Sequence, residues 1–275
     1  MRDLISCGAV PVVRLKEIFR QSRKSLIIMN AHKIVCGEIP ELKVKDNDFF
    51  FLKRSDVYEV RDTVLDLYGK RLPKSYNYNP ITDIQILTPG RKGVLGTRSL
   101  NICLQEYINP KSGAKREINV NGFILRENDK VMQTKNNYDI YWEKEDGSCG
   151  EGIFNGDIGI ILEIDLTSSC IAIKYDDKIA VYELEEATNL ELAYVATVHK
   201  SQGNEFNAVI LPLFGKNPKL HYKNLLYTAV TRAKSQLIIV GSEETIRDMV
   251  KNDKRTKRYS GLKDFLLEDF SAEDR

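Results

Sequence analysis

The sequence predicts an α/β fold with a parallel sheet, interrupted by a small all-β insertion. At both ends of the chain, strand-like apolar runs alternate with segments whose apolar residues recur at helical spacing. Strands separated by helices require parallel crossovers, so these segments are expected to share one sheet. In the middle, short β-rich runs are separated only by turns. A length of 275 residues accommodates one such domain and its insertion.

The first hundred residues supply the first part of this alternation. The segment Ser22–Gly37 has apolar residues at near-helical spacing and ends at a glycine, which favours a helix terminus. Ser55 and Asp56 are typical residues for the start of the next helix. We therefore predict strands at Val10–Leu15, Asp48–Lys53 and Ile84–Leu87, and helices at Ser22–Gly37, from Asp56 to about Tyr68, and from about Thr97 to Tyr107.

The alternation resumes after the central β-rich segment. Apolar runs at Ala208–Phe214 and Gln236–Gly241 predict strands, and Lys223–Lys234 and Glu243–Lys251 predict helices. Within the central segment, the polar stretch Asn137–Gly150 predicts an exposed loop. The expected limits are residues 1–113 and 187–270 for the α/β domain, 114–186 for the β-barrel insertion and 271–275 for a frayed tail.

Composition excludes several classes of protein. A net charge of +2 provides no global field for nucleic acid, so any such binding must come from a local patch. The five cysteines form no C-x-x-C pair, and neither His32 nor His221 has a carboxylate or cysteine at ligand spacing, so no metal site is expected. No apolar run approaches the roughly 18 residues of a membrane span. We expect a soluble, cytoplasmic monomer without a membrane partner.

The sequence lacks the loop on which α/β ATPases normally hold phosphates, which has the pattern G-x-x-x-x-G-K-[ST]. The nearest match, Gly90–Thr97, lacks the final Gly-Lys-Ser/Thr whose backbone amides and lysine contact the phosphates. A complete ATPase site is therefore not expected in this chain.

Three motifs give the chain a family resemblance. "ATVHKSQGNEF" (Ala196–Phe206) and "LLYTAVTRAKSQLIIVG" (Leu225–Gly241) resemble the last two helicase motifs of superfamily one, and "RLKEIFRQ" (Arg14–Gln21) resembles an earlier one. The whole chain resembles the C-terminal motor half of RecD-like DNA helicases, including exodeoxyribonuclease V alpha subunits and TraA-type conjugative helicases. This resemblance implies a RecA-like second lobe carrying an SH3-like barrel, with the N-terminal lobe lying before Met1.

The resemblance also implies which residues contact the nucleotide. A guanidinium from the second lobe stabilises the charge that spreads over the γ-phosphate oxygens during hydrolysis. Arg20 and Arg232 match the family's arginines, so both are expected to be catalytic. An isolated Thr-Arg-Ala-Lys could instead cap a helix. The other expected nucleotide contacts are Gln202, Gly203, Glu205, which matches the acidic contact to the ribose, and Tyr227.

Contacts to single-stranded DNA are expected on the neighbouring parts of these motifs and on "ILTPGRKG" (Ile86–Gly93). Small and neutral donors suit phosphate oxygens, and such contacts position DNA without reading its sequence. For "ILTPGRKG" an ordinary Pro-Gly turn with solvated cations is an alternative interpretation. For the histidine, a structural bond to a nearby carbonyl is another. The expected DNA contacts are Thr88, Arg91, Thr197, His199 and Ser201.

The implied function is ATP-dependent 5′-to-3′ DNA unwinding by a longer parent protein in DNA repair or recombination. ATP and Mg²⁺ would be held mainly by the N-terminal lobe, because the phosphate-binding loop is absent here. Two other hypotheses stay open: a non-catalytic nucleic-acid-binding or regulatory fragment, and an adaptor that binds a protein through the barrel. A phosphate-binding loop encoded upstream of Met1 would select the motor.

We predict that the chain alone hydrolyses no ATP, because it carries only the arginines and the ribose contact of a nucleotide site. Phosphate release, measured with and without single-stranded DNA, should stay at the level of a blank without protein. DNA-stimulated turnover that Arg232→Ala abolishes would contradict this prediction.

Overall fold

The computed structural model describes residues 2–8, 11–13, 25–44, 46–253 and 261–273. The chain divides into two compact units. One lies within residues 1–24 and 254–275 and contains helix α1 (Arg2–Ser6) and a C-terminal helix (Leu262–Glu273), which contact each other. This helix includes Ser271, where the sequence predicts a frayed tail. Among the described helices, none combines the length and apolar character that a membrane span requires.

The second unit, Ser25–Asp253, contains every sheet of the described residues. In chain order its elements are α2 (Leu26–Cys36), β1 (Phe49–Lys53), α3 (Val57–Asp66), a π-helical turn (Leu67–Arg71), α4 (Leu72–Tyr76), β2 (Ile84–Thr88), α5 (Thr97–Ile108), β3 (Glu117–Val120), β4 (Phe123–Arg126), β5 (Lys130–Gln133), β6 (Asn137–Lys144), β7 (Cys149–Ile153), β8 (Ile158–Asp165), β9 (Cys170–Tyr175), β10 (Lys178–Glu183), a 3-10 turn (Glu186–Asn189), β11 (Leu190–Leu192), β12 (Val195–Thr197), β13 (Phe206–Leu213), α6 (Lys223–Val230), β14 (Ala233–Gly241) and α7 (Glu243–Lys251).

A five-stranded parallel sheet with the order β1-β14-β13-β2-β12 forms the centre of the α/β part. Successive residues of each strand point to opposite faces. Phe49 and Leu237 therefore pack with α2, α6 and α7 on one face, whereas Ile238 and Ile210 pack with α3 and α5 on the other. The predicted α/β class with a parallel sheet is confirmed.

Helix ends follow the capping residues that the sequence contains. Ser25 caps α2, and Gly37 ends it with a φ of 81°, a conformation that glycine adopts without a Cβ clash. The Asp56 carboxylate accepts a hydrogen bond of 2.8 Å from Tyr58 N at the start of α3. The start of α3 therefore matches the predicted start at Asp56, whereas α2 begins at Leu26 behind its cap Ser25, four residues after the predicted start at Ser22.

The β-rich part forms a seven-stranded antiparallel sheet with the order β11-β5-β8-β9-β10-β6-β7, and a separate hairpin of β3 and β4. Six of the seven strands lie inside the predicted insertion, residues 114–186. The seventh, β11, lies just beyond it and pairs with β5.

The prediction of an exposed loop at Asn137–Gly150 is wrong. The segment forms most of the hairpin of β6 and β7. Ile140 is buried, while the exposed residues beside it are polar or aromatic, which is the alternation of a strand with one solvated face. Gly150 allows the ring of Trp142 to lie against the neighbouring strand, because a Cβ there would meet the ring at 2.5 Å. The segment is mostly polar, and this overall polarity hid the strand-like alternation from sequence analysis.

The predicted helix Lys223–Lys234 extends too far. Helix α6 ends at Val230, and β14 begins only three residues later. Phe206 N donates to Arg232 O at 2.9 Å, so the pairing of β13 with β14 starts here. The backbone groups from this position onward bond to the neighbouring strand and no longer to a helix. Long-range strand pairing overrides the helical propensity of "TRAK".

The two sheets share a buried polar network around Asp129, which has no exposed surface. Its carboxylate accepts hydrogen bonds from the side-chain amides of Gln105 and Asn109 on and after α5, from Tyr194 OH, and from the backbone of Arg126. Burial raises the pKa of Asp129, against the effect of these donors. The network joins the β-rich part to the α/β part.

Lys130, the next residue, is also buried, and its Nζ donates to Ile84 O of the parallel sheet at 3.1 Å. Desolvation lowers the pKa of Lys130 to about 7 from 10.5, while Asp83 acts in the opposite direction. Between these two pKa values the unfolded chain binds a proton that the folded chain does not. Through this group, the stability of the fold therefore rises with pH in this window and does not change with pH below it.

We predict that wild type gains stability relative to Lys130→Met as the pH rises from 7 to 10, by up to about 1.4 kcal/mol per pH unit. Urea unfolding of both proteins at several pH values measures the difference. The exposed Lys135→Met serves as the control and should follow the wild-type profile. Parallel profiles for wild type and Lys130→Met would show that the lysine stays protonated inside the fold.

Candidate functional site

The two motif segments lie at the edges of the parallel sheet. Residues 198–205 connect the carboxyl end of β12 to the amino end of β13, and residues 231–232 connect α6 to the amino end of β14. Since β13 and β14 pair in parallel, Glu205 and Arg232 precede neighbouring strands at the same edge. Thr88 and Thr197 end neighbouring strands at the opposite, carboxyl edge. The predicted residues therefore separate into an amino-edge group and a carboxyl-edge group.

Arg232 joins the two motif segments at the amino edge. Its Nε donates to Thr228 O of α6 at 3.2 Å, and one terminal nitrogen donates to Asn204 O at 3.0 Å. The side chain is half-buried, and no carboxylate of the described residues lies within salt-bridge distance of it. A guanidinium has five N–H donors, so three remain beyond these two bonds. The anchored arginine can act as a preorganised anion contact.

The other residues expected at the nucleotide lie in the same two motif segments as this arginine. Glu205 is exposed, and its carboxylate lies 3.9 Å from Lys234 Nζ. Gln202 and Gly203 are exposed in the turn before it, and Gly203 has a φ of 96°, which disfavours any side chain there. Tyr227 is exposed on α6. The amino edge thus presents a cation, a carboxylate and neutral polar groups.

At the carboxyl edge, Thr88 is placed differently from the expectation. The side chain is buried, and its hydroxyl donates to Leu95 O at 2.7 Å. It holds the turn that leads to α5 and presents no donor at the surface. The same turn presents Arg91, which is exposed.

Ser201 is also buried, and its Oγ donates to Val198 O at 2.9 Å. Its role in this structure is to close the turn after β12, so a direct contact to DNA phosphate would require that bond to open. Thr197 is half-buried at the strand end, where its hydroxyl accepts from Lys200 N. The sequence of a short polar turn does not reveal which of its hydroxyl groups form hydrogen bonds within the turn and which remain free for a ligand.

His199 is exposed, and its Nε2 lies 3.0 Å from Tyr222 OH. Among the described residues, the imidazole ring bonds to this hydroxyl and to no backbone carbonyl, so the alternative of a carbonyl-bound structural histidine is not found. Lys200, beside it, forms an ion pair of 2.5 Å with Glu191. His199 and Arg91 are therefore the two exposed members of the carboxyl-edge group. Arg20, the second expected arginine, lies outside the described residues.

The structure adds an aromatic pair that sequence analysis missed. Tyr138 and Phe154 lie edge to face with ring centroids 5.6 Å apart, and they are 64% and 43% exposed. The turn after Phe154 contacts the motif segment, since Asn204 Nδ2 donates to Gly156 O at 3.1 Å. The sequence shows Phe154 directly before an Asn-Gly turn, but only the fold pairs its ring with Tyr138 and places that turn against Asn204.

Two family models match the chain. Residues 100–175 match the SH3 domain of ATP-dependent RecD-like DNA helicases, and residues 192–240 match the C-terminal domain of UvrD-like helicases. The first match lies mainly on the antiparallel sheet and the second contains both motif segments.

Curated relatives agree with these matches. An ATP-dependent RecD2 DNA helicase of Deinococcus radiodurans is 31% identical over 85% of this chain and 29% of its own length. A RecBCD enzyme subunit RecD of Buchnera aphidicola is 32% identical over 86% of this chain and 36% of its own. The chain spans about a third of the length of these relatives. Its resemblance to the C-terminal half of RecD-like helicases is therefore confirmed.

Among solved structures, a Pif1 helicase from Bacteroides, crystallised with ADP-AlF3 and single-stranded DNA, has a TM-score of 0.47 to this chain. The identity is 15%, over 95% of this chain and 57% of that one. A likeness this distant supports no argument about function.

We predict that Arg232→Ala lowers the free energy of unfolding by about 1.5–3 kcal/mol, because two backbone carbonyls lose a charged donor. Lys234→Ala, which removes an exposed cation two residues away, should change it by less than about 0.5 kcal/mol. Urea unfolding at pH 7 measures both. Equal effects of the two substitutions would mean that the arginine bonds contribute nothing to the fold.

Proposed function

We propose that this chain, which resembles the C-terminal half of RecD-like DNA helicases, forms the second motor lobe of an ATP-dependent 5′-to-3′ DNA helicase. The observation that carries the proposal is the position of Arg232. Its guanidinium is held between two motif segments by backbone carbonyls, and it retains three N–H donors, with no carboxylate of the described residues within salt-bridge distance. A fixed, uncompensated guanidinium at a sheet edge suits stabilisation of charge that develops on a phosphoryl group.

The amino-edge residues would contact ATP from the side opposite to a lobe that carries the phosphate-binding loop. Arg232 and, outside the described residues, Arg20 would contact the terminal phosphate, Glu205 the ribose, and Gln202, Gly203 and Tyr227 the remainder of the nucleotide. The chemistry supplied by bound ATP is cleavage of its terminal phosphoanhydride. No group of three or more potential ligands for a metal exists among the described residues. We therefore assign the Mg²⁺ ligands and the phosphate-binding loop to an N-terminal lobe of the same parent chain.

The carboxyl-edge residues would form part of the single-stranded DNA track. His199 and Arg91 offer exposed donors for phosphate, and Thr197 ends β12 two residues before His199. Tyr138 and Phe154 would extend the track onto the barrel, because exposed aromatic rings stack on bases regardless of sequence. The barrel would thereby contribute base stacking in addition to positioning.

The parent is proposed to act as a cytoplasmic monomer on single-stranded DNA, with residues 1–113 and 187–270 as the motor lobe and 114–186 as its insertion. The separation of the two groups suits a motor, since the proposed nucleotide contacts and the proposed DNA contacts belong to opposite edges of one sheet. Closure and reopening of the two lobes could then change the grip on DNA.

We predict opposite effects of substitutions at the two edges in the full-length parent. Arg232→Lys should abolish unwinding and leave single-stranded DNA affinity within about twofold, because an ammonium cannot reproduce the guanidinium fork. His199→Ala and Tyr138→Ala should weaken DNA binding. Each stacked base contributes about 1–3 kcal/mol, and each lost phosphate contact reduces the salt slope by about one unit. Strand displacement and fluorescence anisotropy measure the two properties.

Lys234→Ala is the matched control at the amino edge and should retain unwinding. Wild-type hydrolysis by Arg232→Lys would place the catalytic arginine elsewhere. Unchanged DNA affinity in both His199→Ala and Tyr138→Ala would place the DNA track on another face. A parent that binds DNA but never hydrolyses ATP would favour the regulatory fragment instead.

A further inference from the structure

Tyr222 holds one nitrogen of the exposed imidazole of His199. Its hydroxyl lies 3.0 Å from His199 Nε2, which is hydrogen-bond distance. His199 lies in the turn after β12, whereas Tyr222 directly precedes α6, so the contact joins two separate segments of the chain. The other ring nitrogen, Nδ1, forms no hydrogen bond with a described residue. Nδ1 is therefore the nitrogen that remains available to a ligand.

The phenol of Tyr222 is itself held in place. Its ring is half-buried and packs against the apolar cluster that includes Val198. Lys223 N donates to Asn252 O at 3.0 Å, and Asn252 Nδ2 donates to His221 O at 2.7 Å. The residues on both sides of Tyr222 are thereby bound to the end of α7. Because the phenol is already ordered, holding the imidazole costs little further conformational entropy.

Tyr222 occupies a position that helices usually give to another type of residue. It is the N-cap of α6, and its side chain forms no capping hydrogen bond. Ser, Thr, Asp or Asn at an N-cap typically stabilises a helix by about 1 kcal/mol, as Ser25 and Asp56 are placed to do for α2 and α3. The chain forgoes this local stabilisation and places a phenol against His199. Departures of this kind from local rules are expected at functional sites.

The contact determines which nitrogen of the neutral His199 ring carries the proton. A neutral imidazole has one N–H donor and one acceptor nitrogen, and the bond at one nitrogen fixes the state of the other. A phenol oxygen is a poor acceptor, because its lone pair is delocalised into the ring, whereas an imidazole nitrogen is a strong one. Tyr222 OH therefore donates to Nε2, and the proton resides on Nδ1. A protonated ring carries a proton on both nitrogens, so Nδ1–H is present in either charge state.

We propose that Tyr222 is a positioning residue that presents Nδ1–H of His199 to a DNA phosphate. This role rests on the proposed function, in which His199 contacts single-stranded DNA. A phosphate oxygen only accepts hydrogen bonds, so a ring protonated on Nε2 would oppose it with the lone pair of Nδ1. Histidine in water carries its proton mainly on Nε2, and the bond to Tyr222 reverses this preference. The pair thus converts an imidazole that can donate or accept into a fixed donor.

Nuclear magnetic resonance of the 275-residue chain tests the tautomer without DNA. Long-range proton–nitrogen correlation spectra at about pH 8.5, where histidine side chains are ordinarily neutral, report which ring nitrogen is protonated. Wild type should have Nδ1–H, and Tyr222→Phe, which removes only the hydroxyl, should shift His199 toward Nε2–H. Tyr58→Phe removes an exposed hydroxyl on α3 and should leave the tautomer unchanged. Nε2–H in wild type, or one tautomer in both wild type and Tyr222→Phe, would overturn the positioning role.

Fluorescence anisotropy of a labelled oligothymidylate with the full-length parent tests the use of this donor. Tyr222→Phe should weaken binding about two- to fivefold, because the binding-competent tautomer becomes a minor state. In a His199→Ala background the same substitution should have no effect, since its target is gone.

The outcomes of this second experiment separate the two proposals. No loss on Tyr222→Phe, or an equal loss with and without His199, would overturn the positioning role, because Tyr222 would then act on DNA or on the fold by itself. Unchanged affinity in His199→Ala alone would instead refute the proposed DNA contact, while the tautomer measured without DNA would still decide whether Tyr222 sets the state of the ring.

Discussion

The buried carboxylate of Asp129 is the interaction on which the arrangement of both sheets depends. Its partners come from helix α5, from the turn that precedes β5, and from Tyr194 between β11 and β12. A buried carboxylate is tolerated only when its oxygens are satisfied, and each lost donor costs about 1–3 kcal/mol. The network therefore imposes one relative position on the β-rich part and the parallel sheet.

This constraint reaches the motif segments through the chain that leaves the network. Asn101 holds the backbone at Leu192 and Val195, with bonds of 2.9–3.0 Å, immediately before β12. From β12 the chain enters the turn at residues 198–205, which Arg232 and Gly156 then fix at its far end. Hydrogen bonds and the short chain segments between them thus connect the barrel, the segment that carries Thr197 and His199, and the proposed catalytic arginine.

Arg232 therefore combines a structural role, holding two motif segments together, with its proposed role of contacting phosphate. A guanidinium that donates to two backbone carbonyls is already ordered, so little conformational entropy remains to be lost when an anion binds. The same bonds make the residue part of the fold. A substitution there must be compared with its exposed neighbour Lys234 before any loss of activity is assigned to chemistry.

Local signals in the sequence determined the α/β class, the helix end at Gly37, the capped helix start at Asp56, the strands with continuous apolar runs, and the family resemblance. These features depend on residues within a few positions of one another. The aromatic residues of the barrel were also visible in the sequence. The alternation of buried and exposed residues in Asn137–Lys144 was hidden, because the residues on the solvated face are largely polar.

Only the tertiary structure decided which side chains remain available. Thr88 and Ser201 satisfy carbonyls of their own turns, whereas His199, Arg91, Tyr138 and Phe154 stay exposed. The end of α6, the hairpin of β6 and β7, and the burial of Asp129 and Lys130 were likewise decided by partners distant in sequence. The physical reason is that burial and hydrogen-bond competition depend on what packs against a residue, and that information resides in long-range contacts rather than in local pattern.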